Sequence, residues 1–527
     1  MRDRPKAGHR QASRVRYSIC DATKLASVVC FVALLPFLSC SSRPDAHTLV
    51  MIIESSPTNL DPRVGLDAQS ERIDSLIFDD LLSRGEDFNV APALAERWDI
   101  PDPLTYVFHL HQGVKFHDGR PLTSRDVKWT FDSLLERKIL STKAAVYRFV
   151  DHIDAPNDFT VVFHMKEPDS TLLWNLSDGA MGIVPFGSGD EMTQHPIGSG
   201  PFKFVSAETD REVIIERNDQ YWGEKPKLGR VRFAVVPDET TEALELRKGT
   251  CDLAINAFLT PDTIVTLARD PALVIERSPG TRLAYLAFNL RDPILNDVRV
   301  RQAIAYALDR RPMIEYLWRG EAQAARSVLP EQSWAFNGDV PSYDHDPEKA
   351  NRLLDAAGYR SVNGIRFHIT MKTSTDANTR LMVAVMQQQL REVGIALDIR
   401  SFEFATFFSD VTHGAFQMYG LRWIGGNEDP DIFEYAFDSA KFPPNGANRG
   451  FYSNPKLDAL IDQARREIDP NLRKPLYAEV QRILAEDVPY INLWYLDNVM
   501  VHTRRVTNMQ MNAAGNYDFL RTAEMPP

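Results

Sequence analysis

The chain has 527 residues, of which 44% are apolar and 25% are charged. These proportions are ordinary for globular proteins and exclude a disordered chain, a collagen-like chain and a polytopic membrane protein. At roughly 150 residues per domain, the length predicts about three domains. The formal net charge of −12 would repel nucleic-acid phosphates, so we expect no general nucleic-acid binding.

The first 39 residues are predicted to form a signal peptide. Seven basic residues precede an apolar run of about fourteen residues, 25–38, which is too short to cross a hydrocarbon core ~30 Å thick. The run ends at Leu38-Ser39-Cys40, which resembles the signal of bacterial lipoproteins, where cleavage precedes a cysteine that then carries lipid. The alternative is an ordinary signal peptide that is cleaved nearby and leaves Cys40 unmodified.

Two cysteines, Cys40 and Cys251, remain once residues 1–39 are removed. Lipid on Cys40 would leave one free thiol, so we expect neither a disulfide framework nor a cysteine zinc site. The loss of seven basic and two acidic residues changes the net charge from −12 to −17. Because the rest of the chain has no second apolar stretch of spanning length, we expect the lipid to be its membrane attachment.

Residue spacing in the first part of the chain predicts both helices and strands. Thr123 is a candidate N-cap, and Val127 and Phe131 follow it at helical spacing. Apolar runs of four to eight residues, continuous or alternating, are typical of strands. The predicted helices cover 69–82 and 124–137, and the predicted strands cover 48–53, 104–110 and 159–165.

The middle of the chain is predicted to be rich in strands, and its last part alternates helices with strands. A helix over 239–248 ends at Gly249, and another begins at Asp346-Pro347 and ends at Gly358. This alternation predicts the α/β fold class. The other predicted helices cover 297–318, 377–393, 404–413, 454–467 and 471–487, and the strands cover 202–205, 212–216, 231–235, 251–255, 282–289, 365–371, 395–399, 416–423, 490–496 and 499–502.

Candidate catalytic and metal-binding residues are few. His109 and His111 share one face of a predicted strand near His117 and could hold zinc, but no third ligand follows at a fixed spacing, which favours surface positions. Glu428-Asp429-Pro430-Asp431 could hold Ca²⁺ or serve a glycosidase, and acids beside proline are also ordinary turn residues. The chain has no G-x-S-x-G, H-E-x-x-H, Walker A or G-x-G-x-x-G motif. We therefore predict no catalytic residue, no metal ligand and no cofactor.

Short motifs follow one another in order along about 400 residues, and their common order carries more weight than any one of them. They are Asn59-Leu60-Asp61-Pro62, Ala91-Pro92-Ala93-Leu94-Ala95-Glu96-Arg97-Trp98, Tyr106-Val107-Phe108-His109-Leu110, Gly113-Val114-Lys115-Phe116-His117-Asp118-Gly119, Ile197-Gly198-Ser199-Gly200-Pro201-Phe202, Tyr221-Trp222, Phe288-Asn289 and Tyr452-Ser453-Asn454-Pro455. Together they resemble the family 5 extracytoplasmic solute-binding proteins, the large binding proteins of oligopeptide, dipeptide and nickel ABC importers.

The resemblance implies a two-lobed fold of the periplasmic-binding-protein type II class, with an extra domain inserted in the first lobe. Connections between the lobes, near Phe288 and 497–499, would act as hinges. Mapped by motif, lobe I would comprise 45–84, 197–288 and 499–527, the inserted domain 85–196, and lobe II 289–498.

The resemblance also implies binding without catalysis. A peptide-like or related small solute would enter between open lobes and favour the closed state through its higher affinity for that state. The expected partners are this ligand, an ABC permease with its ATPase, and a bacterial membrane reached through the lipid. We expect a monomer at the periplasmic or extracytoplasmic face. A sensory or adaptor lipoprotein, or a secreted hydrolase, are the alternatives.

In peptide-binding members of the family, an extended ligand pairs with the strand that leads into a tryptophan. The matching segment here is 420–424, which ends Arg422-Trp423-Ile424. Its position alone leaves ligand contact and core packing both open for Trp423. The resemblance thus indicates that Gly420, Arg422, Trp423, Ile424, Gly426, Asn427, Glu428, Asp429 and Asn289 are the candidate ligand-binding residues.

Two charges of the peptide-binding pattern are missing from this sequence. The acid that pairs with the ligand ammonium falls at Gly426, and the arginine that some members offer to the ligand carboxylate falls at Gly420. Glu428 or Asp429 could take the place of that acid. Otherwise the ligand is a blocked peptide, a sugar or another solute.

Overall fold

The computed structural model describes residues 48–85, 88–177, 181–256, 259–425 and 427–526. The predicted signal peptide, Cys40 and Gly426 lie outside these residues. Within them, no helix combines the length and apolarity that crossing a bilayer requires.

Strands and helices alternate along much of the chain, and both classes are abundant. The strands are β1 (Thr48–Ile53), β2 (Leu82–Arg84), β3 (Val90–Pro92), β4 (Ala95–Asp102), β5 (Thr105–Leu110), β6 (Val150–Asn157), β7 (Thr160–Met165), β8 (Phe202–Glu208), β9 (Glu212–Arg217), β10 (Arg230–Val235), β11 (Leu253–Ile255), β12 (Leu273–Phe288), β13 (Ala322–Ala324), β14 (Phe367–Ser374), β15 (Ile395–Phe402), β16 (Met418–Trp423) and β17 (Tyr490–Thr503). The helices are α1 (Ala68–Ile77), α2 (Ser124–Leu135), α3 (Thr171–Asn175), α4 (Glu239–Lys248), α5 (Pro261–Leu267), α6 (Val298–Ala307), α7 (Arg310–Pro312), α8 (Pro347–Ala356), α9 (Ala377–Glu392), α10 (Phe404–Thr412), α11 (Ile432–Phe437), α12 (Pro455–Arg466) and α13 (Pro470–Asp487).

Eleven strands form one mixed sheet in the order β15-β14-β16-β12-β17-β11-β1-β10-β9-β8, with β13 also paired to β17. One half contains the parallel strands β15, β14 and β16, and the other contains the parallel strands β11, β1 and β10. Every residue of β1 is buried, as expected for a parallel strand covered on both faces. The long antiparallel strands β12 and β17 lie between the halves and join them.

The pairing of β12 with β17 changes register midway. Residues 273–278 pair with 498–503, and residues 282–287 pair with 490–496, with an irregularity between Ser278 and Arg282. The sequence predicted two separate strands in place of β17 because polar residues interrupt the apolar run. In the structure, the Asn498 amide donates to two carbonyl oxygens of the segment 512–513, so the strand continues through it.

A second sheet has four antiparallel strands in the order β4-β5-β7-β6. Its inner face packs against α2 through residues such as Phe108, Phe131 and Phe163. The predictions for β5 and β7 are confirmed within one residue at their first positions, whereas β4 and β6 were missed. Both are edge strands rich in charged and exposed residues, a composition that limits edge-to-edge pairing and hides the strand pattern.

The single long helix predicted over 297–318 is wrong. Helix α6 ends at Ala307, and Leu308 is extended, with φ −91° and ψ 114°. Asp309 then accepts a hydrogen bond as the N-cap of the short helix α7, which continues directly into a π-helix over Met313–Leu317. An aspartate that binds backbone N–H groups in this way ends one helical run and begins another.

Helix α1 ends five residues before the predicted end at residue 82 because Phe78 is extended. The turn directs the Asp79 carboxylate toward the indole of Trp222, which donates to it at 2.9 Å, and toward the hydroxyl of Ser199 at the same distance. Those hydrogen bonds connect the end of α1 to the bend before β8 and to the segment after β9.

Candidate functional site

A cleft lies beside the register change in the pairing of β12 with β17. Two adjoining cavities of about 1040 and 200 Å³ share Ser75, Arg84, Ala514 and Asn516 as lining residues. Thr281 and Arg282 of β12, together with Ile424 and Gly425 after β16, also line the smaller cavity. The smaller cavity therefore touches parts of the chain from both halves of the large sheet.

The smaller cavity carries charges of both signs. Arg282 donates to Asn256 Oδ1 at 3.1 Å and to the Asp497 carbonyl at 3.0 Å. Burial, with the positive charge of Arg422 nearby, lowers the pKa of Arg282 to about 10, so the group is still a cation at neutral pH. The charged residues that line this cavity are Glu71, Arg72, Arg84, Arg282 and Glu428.

Glu428 lies in the wall of the smaller cavity and is already engaged by the protein. Its Oε2 is 2.9 Å from Arg84 Nη1, and its Oε1 accepts from the Thr281 hydroxyl at 2.9 Å. The Arg84 guanidinium also lies over the Trp174 ring, 3.9 Å from the ring centroid. Glu428 therefore connects the loop after β16 to β2 and β12.

The neighbours of Glu428 stabilise the same loop from inside. Asn427 is fully buried, and its amide donates to the carbonyls of Thr281 and Val328. Asp429 accepts from the Asp431 backbone N–H at 2.7 Å, and burial raises its pKa. Both side chains are buried, and their contact with ligand stays a prediction.

Trp423 packs against an apolar core in the half of the sheet that contains β16. Its ring centroid lies 6.0 Å from that of Tyr285 and 6.2 Å from that of Tyr435, and the Arg449 guanidinium lies 5.7 Å from it. The indole Nε1 is buried and has no hydrogen-bond partner among the residues that the structure describes. The residue that follows, Ile424, is 67% exposed and lines the cavity, whereas Trp423 is not among the lining residues.

The segment predicted to pair with ligand has one open edge. On one side β16 pairs with β12 as far as Trp423, and on the other it pairs with β14 only at Met418 and Tyr419. Gly420 follows directly, and a Cβ there would come within 3.2 Å of the Met371 methyl. Arg422 is exposed, with its guanidinium 5.4 Å from the centroid of the Trp318 ring.

Asn289 has a structural role that the sequence did not indicate. Its amide donates to the carbonyls of Gly414 and Phe416, and its Oδ1 accepts from the Arg291 N–H. With these three backbone partners it holds the segment after β12 against the start of β16. Its contact with ligand stays a prediction.

The histidines considered for zinc do not form a common site. His109 Nε2 is 2.9 Å from Asp99 Oδ2, whereas the His111 ring packs on the Trp222 ring at 5.0 Å between centroids. Each ring thus has its own partner on the surface of the four-stranded sheet, which agrees with the surface positions that the spacing favoured.

His117 is held by backbone groups of the bend before β8. Its Nε2 is 3.0 Å from the Gly200 carbonyl, and the Gly198 N–H donates to its Nδ1 at 3.3 Å. Burial lowers its pKa to about 4. Both ring nitrogens are occupied, so the ring fixes a turn.

Sequence reasoning missed Arg84, Arg72 and Arg282, although all three line the smaller cavity. No local motif surrounds them. They come from α1, β2 and the middle of β12, which only the folded chain brings together. The one available signal was an arginine within a predicted strand, at position 282, and such a residue is also common on solvent-exposed strand faces.

Comparison with known proteins assigns this architecture. The family model of the bacterial extracellular solute-binding proteins, family 5 (Middle), matches residues 89–443, more than half of the chain. The chain belongs to this family. The resemblance drawn from the motifs is thereby confirmed.

Relatives of this solute-binding protein match it over most of their length. Di/tripeptide-binding protein 4 of Pseudomonas aeruginosa (strain UCBPP-PA14) is 30% identical over 529 residues, covering 94% of this chain and 98% of the relative. The dipeptide-binding protein of Escherichia coli (strain K12) is 28% identical over 477 residues, covering 84% and 88%. The structure of DppA from Helicobacter pylori, an ABC transporter-associated periplasmic binding protein in complex with the peptide STSA, superposes with a TM-score of 0.73 at 26% identity, covering 91% and 98%.

The predicted fold class is confirmed. This solute-binding protein has the mixed α/β fold of the type II periplasmic binding proteins. Its function is to bind a solute, and the cleft beside β12 and β17 is the candidate site. The domain boundaries and the individual ligand contacts stay predictions.

Proposed function

We propose that the chain is the substrate-binding component of an ABC importer and captures peptide-like small solutes by closing two lobes around them. The observation that carries this proposal is the arrangement of β12 and β17, which join the two halves of the sheet beside the charged cleft. Both strands that connect the two halves are irregular at the same point of their pairing, and two such connecting segments side by side are suited to act as a hinge. The names of relatives that bind dipeptides and tripeptides support the ligand class.

The hinge that we propose lies at the register change. On β12 it spans 278–282, six to ten residues before Phe288, and on β17 it spans 496–498. Phe288 itself is fully buried in an apolar core, where a large backbone rotation would disrupt packing. The boundary between lobe I and lobe II on β12 is therefore moved toward the N-terminus in this proposal.

The ligand is proposed to lie extended along the open edge of β16. Main-chain pairing with residues 420–424 would bind a peptide backbone without reading its side chains. The mixed charges of the cavity, with Glu428 and Arg282 among them, suit a zwitterion, whose ammonium and carboxylate would face carboxylate and guanidinium groups. In this arrangement Glu428 supplies the acid that the family pattern places at position 426.

The remaining features are proposed from the sequence and the family. The signal peptide directs export, lipid on Cys40 holds the monomeric protein at a bacterial membrane, and a permease with its ATPase receives the closed complex. A lipid with two or three chains would hold the protein far more firmly than a single myristoyl chain.

A thermal-shift screen tests the proposal. The panel contains free dipeptides and tripeptides, the same peptides with blocked termini, oligosaccharides and metal chelates. A ligand at 100 times its Kd adds about 2.7 kcal/mol to the free energy of unfolding, which produces a measurable rise in the unfolding temperature. A smaller radius of gyration in solution scattering with the same ligand would show closure.

Matched peptides separate the possible ligand classes. Stabilisation by free peptides that is lost on blocking either terminus supports a zwitterionic ligand. Stabilisation by an oligosaccharide or chelate, with none by any peptide, would contradict the peptide class. Unchanged dimensions with a ligand that does stabilise the protein would contradict closure.

A further inference from the structure

Three potential metal ligands converge on the outer face of the four-stranded sheet, away from the residues that line the cleft. They are His152 and Asp154 of β6 and His164 of β7, and their ligand atoms all lie within 4.8 Å of one another. His152 is paired directly with His164 across the two strands. Ile153 and Phe163, which point to the opposite face, are fully buried, so the backbone fixes the three polar side chains on the solvent side.

The distances between these atoms match a zinc-sized site. Asp154 Oδ2 is 3.3 Å from His164 Nε2 and 3.8 Å from His152 Nε2. Ligand atoms that surround Zn²⁺ tetrahedrally at about 2.05 Å are roughly 3.3 Å apart. Small rotations of exposed side chains would bring all three atoms to that spacing.

A fourth residue orients one of the rings. Asp151 Oδ2 lies 2.9 Å from His152 Nδ1. When Nδ1 donates its proton to a carboxylate, the lone pair is on Nε2, the atom that faces Asp154 and His164. Histidines that bind metals commonly donate their other ring N–H to a carboxylate in this way.

We propose that His152, Asp154 and His164 form a surface site for a divalent transition metal of the Zn²⁺ or Ni²⁺ type. Two imidazoles and one carboxylate suit these ions, whereas Mg²⁺ prefers oxygen ligands alone. Three protein ligands on an exposed face leave the other coordination positions to water. The site therefore takes up exchangeable metal independently of the solute cleft.

The residues were not singled out in the sequence because His164 is ten positions from Asp154 and lies on the next strand. A hydrogen-bonded group without metal is the competing interpretation, since Asp154 is near both rings and the rings are stacked, with centroids 4.2 Å apart. Metal titration separates the two interpretations.

The test is calorimetric titration of the protein with ZnCl₂ or NiCl₂ after treatment with EDTA and dialysis. We expect one saturable site that His152→Ala and His164→Ala each weaken at least tenfold, that Asp154→Asn also weakens, and that Asp151→Asn weakens by a smaller factor. MgCl₂ should give no saturable binding. His152, Asp154 and Asp151 are more than half exposed and His164 is 33% exposed, so the variants should keep an unfolding temperature close to that of wild type.

His109→Ala is the matched control. His109 faces Asp99 on a neighbouring strand of the same sheet at 2.9 Å. Within the part of the chain that the structure describes, it belongs to no group of three potential metal ligands, so its removal should leave Zn²⁺ affinity within twofold of wild type. The absence of saturable Zn²⁺ or Ni²⁺ binding would overturn the proposal. So would affinities for both ions that neither His152→Ala nor His164→Ala changes. Because the readout is metal binding alone, either result leaves the solute-binding function untouched.

Discussion

Arg84 and Glu428 are 344 positions apart in the chain, and Arg84 Nη1 lies 2.9 Å from Glu428 Oε2 in the wall of the cleft. The Glu428 side chain is 4% exposed and that of Arg84 is 16% exposed, so water screens the interaction little. In the domain division proposed from the family, the pair links lobe I to lobe II. If the lobes close as proposed, we expect the closed conformation to have this contact and the open conformation to lose it.

Replacing Glu428 by glutamine should loosen the ligand-free protein. The substitution removes the negative charge of the carboxylate that accepts from the Arg84 guanidinium, which should lower the free energy of unfolding by about 2 kcal/mol. We also expect a larger radius of gyration in solution scattering and weaker ligand binding.

Asp462→Asn provides the control for Glu428→Gln. Asp462 pairs with Arg466 on the surface of α12, where both side chains are more than half exposed, so its loss should change stability by less than about 0.5 kcal/mol. Equal stability and equal scattering of the Glu428→Gln variant and wild type would refute a role for the pair in closure.

Substitutions at Ile424 and Trp423 should have different effects, the first on ligand binding and the second on stability. Ile424 is exposed and lines the cavity, so Ile424→Asp should weaken ligand binding about tenfold or more without a change in unfolding temperature. Trp423 packs on Tyr285 and Tyr435, so Trp423→Ala should lower the free energy of unfolding by roughly 2 kcal/mol. Trp423→Phe should restore most of that loss.

Titration calorimetry with a ligand from the thermal screen measures the Ile424 effect, and chemical denaturation measures the Trp423 effect. Leu472→Asp is the control for Ile424→Asp, because Leu472 is 56% exposed on α13 and is not among the cavity-lining residues. Wild-type affinity in the Ile424→Asp variant would show that this loop does not contact the ligand.

Acidification should destabilise the protein through His117. Its pKa is about 4 in the folded protein and about 6.5 in an unfolded chain, so between these values the unfolded state binds a proton that the folded state does not. The free energy of unfolding therefore falls as the pH drops from 6.5 toward 4, by roughly 2 kcal/mol for this half-buried group.

Chemical denaturation at pH 7 and pH 4.5 checks this effect. His117→Gln should reduce the stability difference between the two pH values by about 2 kcal/mol, since glutamine does not titrate. The same pH dependence in wild type and His117→Gln would assign it to other groups.

Cys40→Ser should release the exported protein from the membrane fraction if Cys40 carries lipid. Cys251→Ala is the control, because Cys251 is buried and burial raises the pKa of its thiol to about 12, which keeps it protonated and unreactive. Fractionation with quantification of the protein in membrane and soluble fractions gives the result. Membrane association that survives Cys40→Ser would contradict the anchor.

Local patterns predicted most elements because they depend on neighbouring residues. Helix α4 begins and ends where predicted, with Gly249 at φ 67° after its last residue, and α8 begins at Pro347 after Asp346, whose side chain accepts from Lys349 N–H. The predictions failed where side-chain hydrogen bonds, which the local pattern does not show, determine the backbone conformation. Asp309 interrupts a helical pattern, and Asn498 stays within β17 because the segment 512–513 accepts its hydrogen bonds.

For the candidate site too, the sequence predicted one part and only the structure showed the rest. The motif order identified the family and directed attention to 420–429, and the structure places Ile424 and Glu428 of that range at the cleft. It turns Asn427 and Asp429 inward, gives Asn289 backbone partners, and packs Trp423 on a core. Residue spacing shows which side chains share a strand face, but it does not show what covers that face.

By itself the sequence determined the α/β class and the solute-binding family, because periodicity, caps and ordered motifs are local properties of the chain. Only the tertiary structure decided that Arg84 and Glu428 are in contact, that β12 and β17 pair beside one cleft, and that His152 and His164 lie side by side. Each of these contacts joins residues from different strands or loops. Their distances depend on strand order and register, which packing across the whole chain sets.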